Sequence, residues 1–339
     1  LDALCRRFDL GSPTGGPTQV AGGFHHRMWR LETTTGCYAV KQFANDMDMS
    51  DGPTRARLNA TEATAWEFAR RGIPALASLP VDGEHLQVLD DVGYLVFPWT
   101  TSKARKRNAI DQHHADIVAD ILARMHQADI RVPGLGEPVS WPVTAERLDE
   151  LLAVAQQRNV REAMHIQERL ADILDVIERQ PEAQVVLSAW QVVSHGDLDH
   201  KNVLWSDEGE PLIIDWESAR PINPVYEVLM EALDWSGVTA HFDHRPFEHF
   251  LSVYTVAGGV IPAGMIPAAF DAILGAWINW MLFNVGRAAG IEDLRQRAIG
   301  TGQIDVAVSA LLHLDRDIPV LKEIASRYAN DHSVEASRV

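Results

Sequence analysis

The chain has 339 residues, 46% of them apolar, which is ample for a buried core and long enough for two lobes. Its 47 Asp and Glu outweigh 30 Lys and Arg, giving a net charge of −17, which argues against a nucleic-acid partner and favours a cationic ligand by long-range attraction. The two cysteines, Cys5 and Cys37, have no zinc-ligand spacing and read as thiols of a reducing compartment.

In chain order, residues 1–7 lack the pattern of a secretory leader. Runs over 18–23, 24–33 and 37–43, parted by Gly22-Gly23 and Thr35-Gly36, predict an antiparallel meander. Residues 54–71 predict a helix stopped by Gly72, and 85–89 with 93–97 predict two more strands. Pro98-Trp99-Thr100-Thr101 reads as a linker. Apolar spacing then predicts helices over 110–127 and 144–180, a return to short strands over 187–216, and helices again over 226–328. The longest charge-free apolar stretch, 272–286, is shorter than the about 20 residues a membrane span needs and reads as a buried helix. The expectation is an α+β protein of the cytoplasm with no membrane association. It has a β-rich lobe over 1–98 and a larger, mainly helical lobe over 99–339.

Two motifs carry the chemistry. The first is Ser194-His195-Gly196-Asp197-Leu198-Asp199-His200-Lys201-Asn202, and the second is Ile213-Ile214-Asp215-Trp216-Glu217. Phosphoryl transfer needs one carboxylate to take or orient the attacking hydroxyl. It also needs a carboxylate and an amide to hold magnesium against the phosphate oxygens. Asp197 suits the first task; Asn202 and Asp215 suit the second. A turn at Asp207-Glu208-Gly209-Glu210 would fold Asp215 back beside Asn202.

Here the chain resembles the aminoglycoside phosphotransferase and choline-kinase-like family, whose loop reads His-Gly-Asp-x-x-x-x-Asn and whose metal motif reads Ile-Asp-Trp/Phe-Glu/Asp. The resemblance implies a protein-kinase-like bilobal fold, and ATP as co-substrate with Mg2+. GTP stays open, because Pro98 departs from the common hinge and removes a donor. It further implies that Gly22 and Gly23 cover the nucleotide and that Lys41, in Tyr38-Ala39-Val40-Lys41, contacts its phosphates. Glu62 would pair with Lys41, and Phe97 and Trp99 would meet the base. His195 would order the loop rather than act as base, and Lys201 has a minor claim on the γ-phosphate. Glu227 stands where the family has an Asp after its metal motif. Asp199, Glu227, Glu231 and Asp234 are candidates to line the pocket of a small, cationic acceptor, an aminoglycoside or tuberactinomycin first and choline, ethanolamine or an amino sugar second. A nucleotide-binding pseudokinase is the reading of another class. A metallohydrolase built on His25, His26, His113 and His114, and a dinucleotide-binding dehydrogenase, both fit poorly.

Overall fold

A computed structural model describes residues 2–20, 26–44, 47–136, 143–237, 243–291 and 294–330. The chain forms two compact units. Unit 1 takes Leu1–Asp111, Arg124–Pro138 and Val192–Pro221; unit 2 takes Gln112–Ala123, Val139–Gln191 and Ile222–Val339. This division differs from the lobes read at Pro98, because the segment carrying both motifs groups with the N-terminal sheet.

Unit 1 opens with a short helix, α1 (Asp2–Arg7), which the sequence reading did not anticipate. Strands β1 (Thr18–Val20), β2 (Arg27–Glu32), β3 (Cys37–Gln42), β4 (Gln87–Leu89) and β5 (Val92–Pro98) form one antiparallel sheet in the order β1-β2-β3-β5-β4. Helix α2 (Gly52–Arg70) lies between β3 and β4 in the chain. Asp51 caps it by accepting from Thr54 N at 2.9 Å, and Gly72, at φ +78°, ends the turn that follows. Residues paired across the sheet share a face, and faces alternate along each strand. Val40 and Val96 are paired and pack with Leu4, Cys5 and Phe8 of the N-terminal segment. Leu95, opposite Lys41, packs on the other face with Phe43 and with Leu58 of α2. One face of the sheet is therefore closed by apolar packing from α1, and the other presents Lys41 beside α2.

The rest of unit 1 hangs on this sheet. Strand β6 (Lys103–Ala104) pairs with β8 (Val203–Trp205), which pairs with β9 (Pro211–Ile213); β7 (Val192–Ser194) pairs with β10 (Arg220–Ile222). Ile213 N donates to Pro74 O at 2.7 Å and Leu76 N donates to Ile213 O at 2.8 Å. The hairpin is thus tied to the chain leaving α2, which is why it stays with unit 1.

Unit 2 is helical: most of α3 (Gln112–Gln127), then α4 (Ala145–Gln157), α5 (Ala163–Gln167), α6 (Leu170–Ser188), α7 (Pro224–Ser236), α8 (Arg245–Val256), α9 (Ile266–Ala289) and α10 (Arg297–Arg327). The helical segments expected over 144–180 are three helices, α4, α5 and the first part of α6, with Asn159 at φ +57° after the first. The segment Ala263–Ala289 is long and apolar enough to cross a membrane by length and composition, but more than half of its apolar window is buried. It contains the hub of unit 2: α9 packs against α4, α6, α7 and α10.

Candidate active site

The loop that carries Asp197 is fixed by its neighbours. Gly196 adopts φ +76°, and a Cβ there would lie 2.3 Å from Arg220 Nη1 and 2.6 Å from Ser218 O, so only glycine fits. Arg220 Nη1 donates to Ser218 O at 2.8 Å and to Gly196 O at 3.2 Å. His195 is fully buried. Asp197 N donates to its Nδ1 at 3.3 Å, which assigns the proton to Nε2, 3.0 Å from Ile214 O. His195 therefore joins the first motif to the second through backbone groups, and its ring packs edge-on against Trp216 at 4.7 Å.

Asn202 completes the loop. Its Nδ2 donates to Asp197 O at 2.8 Å and to Asp197 Oδ2 at 2.9 Å. In that contact the Asn202 side-chain carbonyl oxygen and Asp197 Oδ1, the latter on a half-exposed side chain, are the oxygens not engaged. Ile214 N donates to Asn202 O at 2.9 Å, and Val203 pairs with Ile213, so the hairpin brings Asn202 alongside the residues leading into Asp215. Asp215 sits in the left-handed region at φ +63°, which aspartate adopts more readily than most residues with a side chain.

Lys41 reaches across from β3. Its Nζ lies 3.0 Å from Asp215 Oδ1 and in contact with Glu217 Oε1, a contact without hydrogen-bond geometry. Burial opposes the charge on Lys41, but Glu217 and Asp215 outweigh it and hold the ammonium above its usual pKa. Burial likewise works against ionised Glu217, yet His26 and Lys41 bring its carboxyl down to about 2. His26 Nε2 lies 3.6 Å from Glu217 Oε2, while its Nδ1 accepts from Ala44 N at 3.3 Å. Glu217 and His26 were not assigned to this site from sequence. The signal for Glu217 was its place in the second motif; for His26 there was none beyond its position after the Gly-Gly turn.

Glu62 is placed differently from expectation. It is 3% exposed on α2 and accepts from Ser78 N at 3.3 Å, whereas the ion pairs of Lys41 run to Asp215 and Glu217. Burial pushes its carboxyl up to about 7, against the opposing effects of Ser78 and Lys41. The physical reason is competition: two carboxylates of the 215–217 segment reach the ammonium, and Glu62 is too desolvated to hold a charge cheaply.

At the hinge, Trp99 N donates to Cys37 O at 3.1 Å, so the strand pairing occupies that donor; the Trp99 ring lies 5.1 Å from the Arg30 guanidinium. Phe97 is half-buried against the cluster of Phe43, Leu58 and Leu95. Gly22 and Gly23 lie outside the described residues. Of the acceptor candidates, Asp199 caps the short turn after the loop and accepts from Lys201 Nζ at 2.9 Å. Glu227, Glu231 and Asp234 lie on α7 in unit 2, the two glutamates buried and Asp234 half-buried.

An antiparallel N-terminal sheet bearing Lys41, a loop and hairpin carrying Asp197, Asn202 and Asp215, and a helical C-terminal region make up a protein-kinase-like fold. A family model described as "Phosphotransferase enzyme family" matches residues 17–267, and the chain belongs to that family. No curated protein sequence matches the chain. Among solved structures it is similar to an amicoumacin kinase (14% identity, TM-score 0.63, 93% of both chains covered). It is also similar to an aminoglycoside phosphotransferase from Alicyclobacillus acidocaldarius (15%, 0.59, 96% of both chains). A choline kinase from Cryptosporidium parvum shares the fold as well (13%, 0.56, 95% of this chain and 96% of that one). The chain is thus a kinase-type small-molecule phosphotransferase by family.

Proposed function

We propose that the chain transfers the γ-phosphoryl group of ATP, with Mg2+, to a hydroxyl of a small molecule. The observation that carries this reading is the convergence within unit 1 of Lys41 on Asp215 and of Asn202 on Asp197. The donor set suits a hard cation: the Asp215 carboxylate and the Asn202 side-chain carbonyl are oxygen ligands of the kind Mg2+ prefers, and the Asn202 amide nitrogen is already engaged with Asp197. When bound, the ion would offset phosphate charge. Lys41 would bind the phosphates, and His26 and Glu217 would hold it in place. Asp197 Oδ1 would accept the hydroxyl proton as the new O–P bond forms and the bond to the ADP oxygen breaks, with Asn202 keeping the carboxylate in register. Most of the acceleration would come from positioning and charge stabilisation.

The fold is shared by enzymes whose substrates range from antibiotics to choline, so the acceptor is to be found by assay; an antibiotic acceptor would make this a resistance enzyme. ATP consumption across aminoglycosides, tuberactinomycins, choline, amino sugars, hydroxy acids and sugar phosphates, with Asp197→Ala as control, tests the reading. Turnover abolished by Asp197→Ala with nucleotide binding retained is the expected result. Near-wild-type transfer by that variant would remove Asp197 from its role, and a protein that binds ATP but phosphorylates nothing would favour the pseudokinase reading.

A further inference from the structure

The charge that first pointed to a cationic acceptor is unevenly spread. Unit 2 holds 13 Lys and Arg against 25 Asp and Glu, a net of −12, and unit 1 holds 17 against 22, a net of −5. Beside the catalytic loop the sign reverses. Residues 92–110 contain Lys103, Arg105, Lys106 and Arg107 and no acidic residue. The whole chain has only five lysines, and Lys103, Lys106 and Lys201 are three of them.

The fold fixes this strip against the site. Lys103 pairs with Trp205 and Ala104 with Leu204, on the strand that begins directly after Asn202. Arg107 Nη1 lies 3.3 Å from His200 Nδ1, His200 contacts Asp199, and Lys201 Nζ lies 2.9 Å from Asp199 Oδ2 and 3.8 Å from Asp197 Oδ2. A continuous run of contacts thus leads from the strip to the proposed base. In a protein where acids outnumber bases by 17, Lys103, Arg105 and Lys106 nevertheless have no carboxylate partner among the described residues. Arg105 Nε is moreover buried without a hydrogen-bond acceptor, an arrangement that costs free energy until an acceptor is supplied. Lys103, Lys106 and Arg107 are exposed.

We infer that this strip binds an anionic oxygen group, a carboxylate or a phosphate, carried by the acceptor beside the hydroxyl that Asp197 addresses. The inference rests on the phosphotransferase reading above and narrows its substrate class to hydroxy acids and sugar phosphates. Clustered cations on a rim select and orient such groups, and a site of matching sign disfavours amines.

The small number of lysines makes a direct test practical. Reductive methylation with 13C keeps their charge and gives five lysine signals besides that of the N-terminal amine, assignable by Lys→Arg variants. With Mg·ADP bound, the protein is titrated with inorganic phosphate, glycerate, glucose 6-phosphate and choline. Saturable shifts of Lys103 and Lys106 with at least one of the three anions, with Lys322 and the choline titration silent, are the expected result. The triple variant Lys103→Glu, Arg105→Glu, Lys106→Glu should weaken that binding by about tenfold or more while Lys322→Glu leaves it intact. No shift with any anion, or shifts of all five lysines that do not saturate, overturns the inference. Failure of Mg·ADP to bind the unmodified protein would instead sink the phosphotransferase reading, so the two failures are distinguishable. Between the anions, glycerate alone would indicate a carboxylate acceptor, and phosphate with glucose 6-phosphate a phosphorylated one.

Discussion

Unit 1 and unit 2 handle polar groups in different ways. Unit 1 assembles ions at close range: Lys41, Asp215, Glu217 and His26 lie in one contact network, and Asp197 with Asn202 forms another. It does so on unusual backbone, with Gly196 and Asp215 both at positive φ. Unit 2 carries most of the negative charge but organises itself around an apolar helix, α9, along which Ile273, Ile278, Met281, Leu282 and Val285 are buried. The lesson is that charge in unit 1 is gathered at a few specified points, whereas unit 2 is specified by shape.

The contrast can be broken most sharply in unit 1. Asp215→Asn keeps the shape of the side chain and removes its charge; it should lower kcat by about a thousandfold or more, read by ADP release, with the melting temperature near wild type. A large loss of stability with little loss of turnover would mean that Asp215 is a structural ion-pair partner only. In unit 2 the expected order of effects is reversed. A Cβ on Gly300 of α10 would lie 2.5 Å from Ala288 N and 2.8 Å from Asn284 O, backbone atoms of α9 that cannot step aside. Gly300→Ala should therefore cost about 1–3 kcal/mol in denaturant unfolding and leave nucleotide affinity unchanged. Glu62 gives a pH test. Its carboxyl is raised to about 7 from an unfolded value of 4.5, so the folded chain binds the extra proton between those values, and stability from this group is lost as pH rises through that window. Glu62→Gln should flatten the fall between about pH 4.5 and 7, a difference of about 1–3 kcal/mol across unfolding curves. A wild-type curve already flat there would place Glu62 as an ionised partner of Lys41. The smallest effect is expected at the α4 cap, where Thr144 Oγ1 accepts from Arg147 N at 3.2 Å: Thr144→Ala should cost about 1 kcal/mol with activity intact.

Much of unit 1 was legible because its signals are short and local. Val40 and Lys41 alternate across β3, Gly72 stops α2, and the five-residue spacing of Asp197 and Asn202 needs no long-range information. What could not be read depends on contacts remote in sequence. Nothing in residues 2–7 says that Leu4 and Cys5 will back Val40 and Val96. The partner of Lys41 is settled by how far Glu217 reaches, and the spacing of Glu62 on its helix carries no such information. Trp99 looked available to a base until the sheet engaged its N–H with Cys37 O. In unit 2 the pattern announced helices over 144–180, but where one ends and the next begins, as at the left-handed Asn159, is not recorded in a two-letter apolar pattern.

The turn between β8 and β9 closes on itself. Ser206 Oγ accepts from Glu208 N and Glu210 N, Ser206 N donates to Glu210 O, and Gly209 points into open space. Asn202 and Asp215 are thus spaced by a clasp that takes no part in holding them. A short peptide tag or fluorophore grafted at residues 207–208 would ride on the catalytic hairpin as a passenger, offering a place to report on the reaction without touching it.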